Sequence, residues 1–476
     1  MINFFRSAVF LACGALAIAA ADPQRPNIVF VISDDHAWTD YGFMGHPQVE
    51  TPHLDRLAAR SAAFTRGYVP TALCRPALAT FATGLYAHQH RISGNDPSFL
   101  PSMLNPEGGK KSKAKAKGGE GGGAEPAAYA ALREKLISQL HRFPTVPKLL
   151  GQQGYLSHQS GKWWEGGYDR GGFTHGMTRG FPKPGGRHGD DGLKIGREGM
   201  QPIFDFIDHA VAEKKPFFLW YAPFLPHTPH TPPDRLFAKY KAKGIKSDYV
   251  AKYYAMVEWF DETCGQLFDR LEAKGLTRNT LVVYVGDNGW IQKEDGQGFA
   301  PRSKQSPNEG GIRQPTLFSW PGVIQPGNRG EQLSSSVDIV PTALAAAGVP
   351  APANLPGINL LPILKTGRPT PRDTVFGETF AHDIPNIEKP EASLVHRWVI
   401  EGKWKLLLTY DGEVSARYAS ANPRPELRPQ LFDLISDPHE NTNLAAKNPD
   451  TVAKLAAKLQ QWWPTTERKV ITTWRD

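Results

Sequence analysis

Two pairs of oxygen-bearing side chains are the residues best placed to do chemistry. Asp34 and Asp35 follow the apolar run Ile28-Val29-Phe30-Val31-Ile32, and Asp287 and Asn288 follow Leu281-Val282-Val283-Tyr284-Val285. Three carboxylates and one amide carbonyl make a hard-cation ligand set suited to Ca2+ or Mg2+. Zinc fits poorly, because neither doublet holds a thiolate or an imidazole. One such pair at a strand end would simply cap a turn. Two pairs, after separate strands facing the same sheet edge, point to a bound metal.

Cys74 lies in Leu73-Cys74-Arg75-Pro76-Ala77-Leu78-Ala79-Thr80. The nearby proline suits the first turn of a helix, where its missing N–H would be unpaired anyway. That sets Cys74 at a helix N-terminus, where the dipole and free N–H groups favour negative charge. A nucleophile attacking an anionic ester would gain there; the plain alternative is a buried structural cysteine. Lys162, in Ser160-Gly161-Lys162-Trp163-Trp164, and Lys304, in Ser303-Lys304-Gln305, offer point charges for a tetrahedral oxyanion. Taken singly, each would be an ordinary surface lysine. His227 and His230 sit among prolines in Pro226-His227-Thr228-Pro229-His230-Thr231-Pro232. Either imidazole can titrate near neutrality and protonate a leaving oxygen, or simply be a loop histidine.

These groups need a frame. The runs Ile28–Ile32, Pro216–Tyr221 and Leu281–Val285 are continuous and apolar, the pattern of strands buried on both faces. Helical patterns lie between them, for example Val250 to Lys274. The expected fold is α/β, a large mostly parallel central sheet flanked by helices, with ligands at the carboxyl ends of its strands. Towards the C-terminus the character changes to α+β. Trp398-Val399-Ile400 and Trp404–Leu408 read as antiparallel strands joined at Glu401-Gly402-Lys403, Leu431–Leu434 as a third, and Asp450–Trp463 as an amphipathic helix.

The chain has 476 residues, a net charge of +8 and three cysteines. Arg6, the apolar stretch Ala8–Ala20 and Ala19-Ala20-Ala21 read as a cleaved export signal, with an uncleaved anchor as the competing reading. Export places the protein in the periplasm or outside the cell. No integral membrane segment is expected after signal removal, and no nucleic-acid-binding motif accompanies the positive charge. Part of that charge is the tract Lys110–Lys117, followed by Gly118–Gly123, a low-complexity insertion. The expected organisation is a signal at 1–21, the main domain at 22–375 with its insertion at 106–126, and the α+β subdomain at 376–476. Cys74 and Cys264 remain in the exported chain, enough for one disulfide but not for a disulfide scaffold. Cys264, in an amphipathic helical pattern, reads as core.

Together these motifs resemble the type I sulfatases of the alkaline phosphatase superfamily. The resemblance is carried by Pro26–Asp35, the cysteine segment, Gly161-Lys162-Trp163, Gly286-Asp287-Asn288-Gly289, Glu309–Pro315, Val337–Thr342 and Leu431–Pro438, in that order. It implies hydrolysis of sulfate esters, of sulfated carbohydrates or aryl sulfates. It implies that Asp34, Asp35, Asp287, Asn288 and the group at Cys74 bind Ca2+, with Mg2+ as the alternative. Cys74 matches the cysteine that a formylglycine-generating enzyme oxidises, the hydrated aldehyde then being the nucleophile. Lys162 and Lys304 match lysines that grip the sulfate. His227 matches the histidine beside the leaving group, with His230 left open because it too precedes Thr-Pro.

The family pattern Cys-x-Pro-Ser-Arg is altered: Ala77 and Leu78 replace serine and arginine. Arg75 is expected to offer a guanidinium in place of the missing one. Trp164 stands where the family has histidine. Two other readings stay open: a phosphodiesterase or phosphonate monoester hydrolase on the same scaffold, and a degenerate sulfatase that only binds sulfated glycans.

Overall fold

Every residue of the central strands is buried, successive side chains entering two different cores on opposite faces of the sheet. The structure, a computed structural model, describes residues 25–98, 127–180, 187–410 and 429–465. The expected signal and the 106–126 insertion lie outside the described residues. In chain order the strands are β1 (Asn27–Ser33), β2 (Ala62–Phe64), β3 (Arg66–Tyr68), β4 (Asp96–Pro97), β5 (Leu156–Gly161), β6 (His175–Gly176), β7 (Phe217–Ala222) and β8 (Thr280–Gly286). They continue with β9 (Thr316–Ser319), β10 (Gly327–Asn328), β11 (Leu333–Ser335), β12 (Thr374–Phe380), β13 (Asp383–Ile384), β14 (Leu394–Glu401), β15 (Trp404–Thr409) and β16 (Gln430–Asp433).

An eight-stranded sheet runs in the order β10-β2-β9-β8-β1-β7-β5-β6. Its pairs are parallel except those of β9, which runs antiparallel to β2 and β8. Ile28, Phe30 and Ile32 of β1 face one core, and Val29 and Val31 face the other. Phe218 and Trp220 of β7 join the first, Leu219 and Tyr221 the second. Burying each such side chain contributes about 1.5–3 kcal/mol, so strands covered on both faces are the rigid part of the fold. The helix Cys74–Thr83 packs in the first core. The long helix Asp248–Ala273 packs in the second through Met256, Phe260, Cys264 and Leu267, and Ser247 caps it by accepting from the Val250 N–H at 3.3 Å. Cys74 and Cys264 are both free thiols and lie on opposite sides of the sheet.

The second sheet is antiparallel, in the order β12-β14-β15-β16. The β14–β15 hairpin closes through Gly402 and Lys403, with Gly402 at φ +57°. The helix Pro449–Trp462 lies on this sheet, Leu455 and Leu459 packing with Val399, Leu406 and Leu408. Buried charges join the two sheets. Lys405 of β15, fully buried, lies 3.1 Å from Glu309 and 2.8 Å from Glu440. Glu440 also accepts from Asn308 Nδ2 at 2.9 Å and from the Glu309 N–H at 2.8 Å.

Candidate active site

Four adjacent parallel strands, β8-β1-β7-β5, end at the same sheet edge. Ser33 pairs with Gly286 and Gly161 with Ala222, so the polar segments that follow emerge side by side. Backbone hydrogen bonds continue past the strands: Asp287 N–H to Ser33 at 2.9 Å, Asp34 N–H to Leu225 at 3.0 Å and Lys162 N–H to Ala222 at 2.7 Å. Gly161 has φ +85°, and a Cβ there would collide with the Ala222 carbonyl. A glycine is therefore required where the chain turns to present Lys162. Cys74 arrives from another direction, as the first residue of the helix Cys74–Thr83, with Leu73 extended before it.

The side chains converge. Cys74 Sγ is 3.8 Å from Asp34 Oδ1 and 4.0 Å from Asp35 Oδ1. Lys162 Nζ donates to Asp34 Oδ1 at 2.8 Å, and Lys304 Nζ to Asp35 at 2.6 Å. Asn288 Nδ2 donates to Asp35 Oδ1 at 2.7 Å, and Asp287 Oδ1 accepts from the Asp35 N–H at 3.1 Å. His227 Nε2 is 3.3 Å from Asp35 Oδ2. Asp35 is in the left-handed region at φ +62°, a conformation that aspartate tolerates better than most residues. Arg302 and Gln305, on either side of Lys304, share that conformation at φ +63° and +64°. The Gln305 N–H donates to Ala72 at 2.8 Å, tying the Lys304 loop to the segment before Cys74.

The electrostatics follow from burial and crowding. Burial raises Asp34 well above the usual carboxylate range; Lys162 opposes the rise, while Asp287 and Asp35 add to it. Asp287 is also raised by burial, against the pull of Lys162. Burial works against the Lys162 ammonium, but Asp34, Cys74 and Asp287 outweigh it and hold the group at about 12. Burial raises the Cys74 thiol as well, with the two lysines opposing, so the unmodified sulfur stays protonated. For His227 two influences conflict. Its contact with Asp35 favours the imidazolium, whereas burial, Lys162 and Lys304 disfavour it and prevail, holding its pKa well below the ordinary value. Nδ1 donates to the Thr228 carbonyl at 2.5 Å, which leaves Nε2 as the nitrogen facing the cluster.

Asp34 Oδ2, Asp287 Oδ2 and Asn288 Oδ1 are buried without a hydrogen-bond partner. Unpaired buried oxygens of this kind are costly, and a hard divalent cation is the group that would satisfy all three. The donor set therefore fits Ca2+ or Mg2+. Three carboxylates and two ammonium groups leave the cluster with one negative charge. A divalent cation would make that one positive charge, the complement of a monoanionic ester.

Other expected residues lie elsewhere. Arg75 gives its guanidinium not to the sulfur but to Glu165, Nε to Oε1 at 2.7 Å and Nη2 to Oε2 at 2.8 Å, and to the Asn95 carbonyl at 2.9 Å. Successive helical residues point about 100° apart, which carries position 75 away from 74. Leu78, one turn on from Cys74, is buried in the first core. His230 is set back from the cluster, its ring 5.9 Å from Trp290 and 5.4 Å from Tyr253. Trp164 places its ring 4.9 Å from Lys162 Nζ, and Phe224 at 5.4 Å does the same. Sequence reasoning missed His188, which packs 5.4 Å from Trp164 and 5.5 Å from Phe224, with Nδ1 buried and unpartnered. Nothing in Arg187-His188-Gly189 signals this, because a loop distant in sequence delivers it.

Comparison with known proteins identifies the family. The model of the Sulfatase family matches residues 26–349, and that of the N-sulphoglucosamine sulphohydrolase C-terminal region matches 303–466. The chain is 29% identical to human arylsulfatase A over 90% of its own length and 85% of the relative's. It is 27% identical to human N-acetylgalactosamine-6-sulfatase, over 93% and 86%. Among solved structures, Ps i-CgsB superposes with a TM-score of 0.68 at 23% identity, covering 94% of this chain and 95% of that one. The phosphonate monoester hydrolase of Agrobacterium radiobacter gives 0.62 at 20%, covering 92% and 95%. The chain therefore belongs to the sulfatase family, the type I sulfuric ester hydrolases of the alkaline phosphatase superfamily.

Proposed function

We propose that this protein is an exported sulfatase that removes sulfate from esters of sulfated carbohydrates. The observation that carries the reading is the buried cluster at the ends of β8, β1, β7 and β5, whose orphaned oxygens and charge balance suit one divalent cation and one sulfate monoester. Asp34, Asp35, Asp287 and Asn288 would hold Ca2+, with the group at position 74 beside them. The ion would supply Lewis-acid charge that offsets negative charge developing on the sulfuryl oxygens. Converted to formylglycine by its generating enzyme, Cys74 would supply a hydrated aldehyde, one hydroxyl attacking sulfur and the other expelling sulfate as the aldehyde re-forms.

The chain's own residues do the rest. Lys162 and Lys304 turn their ammonium groups from the carboxylates to the sulfate oxygens, and burial strengthens that attraction. A bound sulfate offsets the Lys162 and Lys304 charges that suppress the imidazolium, so His227 takes up a proton at Nε2 and passes it to the leaving alcohol oxygen, while the Thr228 carbonyl fixes its Nδ1–H. Trp164 and Phe224 flank Lys162 and exclude water from it. Arg75 acts by fixing Glu165 and Asn95 at the start of the Cys74 helix.

Sulfate release from 4-nitrophenyl sulfate and from sulfated sugars, with calcium and after chelation, tests the proposal. Turnover is expected with the ion and only a trace without it. Faster release from aryl phosphates or phosphonates than from sulfates would favour the esterase reading. The substitutions at Leu78 and Trp164 support a second reading, a protein that binds sulfated glycans without hydrolysing them. Peptide mass spectrometry of the Cys74 segment from the native host separates the two: an aldehyde 18 Da below the thiol supports hydrolysis, and an untouched thiol supports binding alone.

A further inference from the structure

Behind His230 lies a cavity of about 290 Å3, lined by His230, Asp248, Tyr249, Lys252 and Gln297. That volume is near the lower end of small-molecule sites, about 300–1,000 Å3. It adjoins the reaction centre across one side chain. Trp290 is 5.9 Å from His230 on one side, and on the other 6.5 Å from His227 and 5.6 Å from Lys304 Nζ.

The lining mixes polar groups with apolar surface, including one aromatic face. Tyr249 is among the few large apolar side chains left exposed, at 38%. His230 Nε2 is buried without a hydrogen-bond partner, a cost that an incoming hydroxyl would relieve. Asp248 pairs with Lys241 at 2.7 Å on the surface, which offsets part of its charge. Lys252 sits over the Phe237 ring at 5.6 Å, and its charge is felt at His230. An aromatic face, an amide, an imidazole and an ammonium together suit a hydroxylated ring bearing a negative charge.

We infer that this cavity seats an anionic sugar unit adjoining the sulfated one, with Tyr249 stacking on its ring and Lys252 meeting a carboxylate or a second sulfate. The inference rests on the sulfate-ester reading and narrows its substrate to acidic oligosaccharides.

The test compares Tyr249→Ala and Lys252→Met with the wild type on two substrates, a monosulfated uronate-containing disaccharide and 4-nitrophenyl sulfate. Both residues are exposed near the start of the helix Asp248–Ala273, Tyr249 in its first turn and Lys252 at the start of its second, so folding is preserved. KM for the disaccharide should rise about tenfold in each variant, with aryl sulfate turnover within about twofold of wild type. Repeating the measurement with the carboxyl-reduced disaccharide, and with one carrying a second sulfate instead, identifies which anion Lys252 meets. Equal losses on both substrates, or no loss on either, would overturn the inference. Calorimetric binding of the same disaccharide to wild type and variants gives a reading independent of turnover. A wild-type protein that binds the sugar tightly, loses it in the variants and releases no sulfate refutes the hydrolase reading alone. Unchanged binding in the variants refutes the cavity.

Discussion

Asp287 is the residue at which the proposed ion dependence of the cluster is tested most directly. Its Oδ2 has no partner, and its Oδ1 holds the Asp35 backbone. Asp287→Ala should abolish calcium binding and lower kcat/KM at least about 10^3-fold, the loss of several kcal/mol of charge stabilisation. Calorimetry and sulfate release check the two halves separately. The pH dependence follows from the upward shifts of Asp34 and Asp287. Without metal, both bind protons more tightly folded than unfolded. From the ordinary carboxyl value of 3.8 upward, the metal-free fold should therefore lose stability as pH rises through the raised values. Calcium must displace those protons, so its affinity and its stabilising effect should both grow with pH over the same window. Thermal melts with calcium and with chelator, from pH 4 to 8, would contradict this if the gap narrowed as pH rose.

The strands explain what could be read in advance. β1, β7 and β8 are visible as unbroken apolar runs because both their faces are buried. The acidic doublets are visible because they follow such runs immediately. β5 escaped notice because it reads Leu-Ser-His-Gln-Ser-Gly, yet it stands between β7 and β6. Its polar side chains find partners that only tertiary structure provides: Ser160 donates to the Trp220 carbonyl at 2.9 Å, and Gln159 accepts from the Thr178 N–H at 3.1 Å. Glu165 and His188 were illegible for the same reason, each meeting its neighbours across a long sequence gap. Gly161 gives this level a test. Gly161→Ala forces a side chain onto the Ala222 carbonyl at φ +85°. It should destabilise the fold by more than about 2 kcal/mol in chemical denaturation and weaken sulfate binding through Lys162.

The two sheets form one functional body, because the Lys304 loop rests on charges belonging to the smaller sheet. Lys405 lies between Glu309 and Glu440, and Tyr68 donates to Glu309 at 3.1 Å. Lys405→Met leaves two carboxylates buried without their cation and should cost about 3–5 kcal/mol. Truncation before Thr374 removes Lys405, Glu440 and Trp398 together, and the remaining chain should show no cooperative unfolding transition. A truncated protein that melted sharply would contradict this coupling. On the proposed mechanism, the placement of Cys74 also bears on when its oxidation to formylglycine can occur. Cys74 is 1% exposed, at the head of a helix whose every residue is buried. An oxidising enzyme needs the peptide in its own cleft, so it must reach this segment while the chain is still open, during or just after synthesis. A molecule that folded first would then keep its thiol, and later treatment with the generating enzyme should recover nothing until the protein is unfolded.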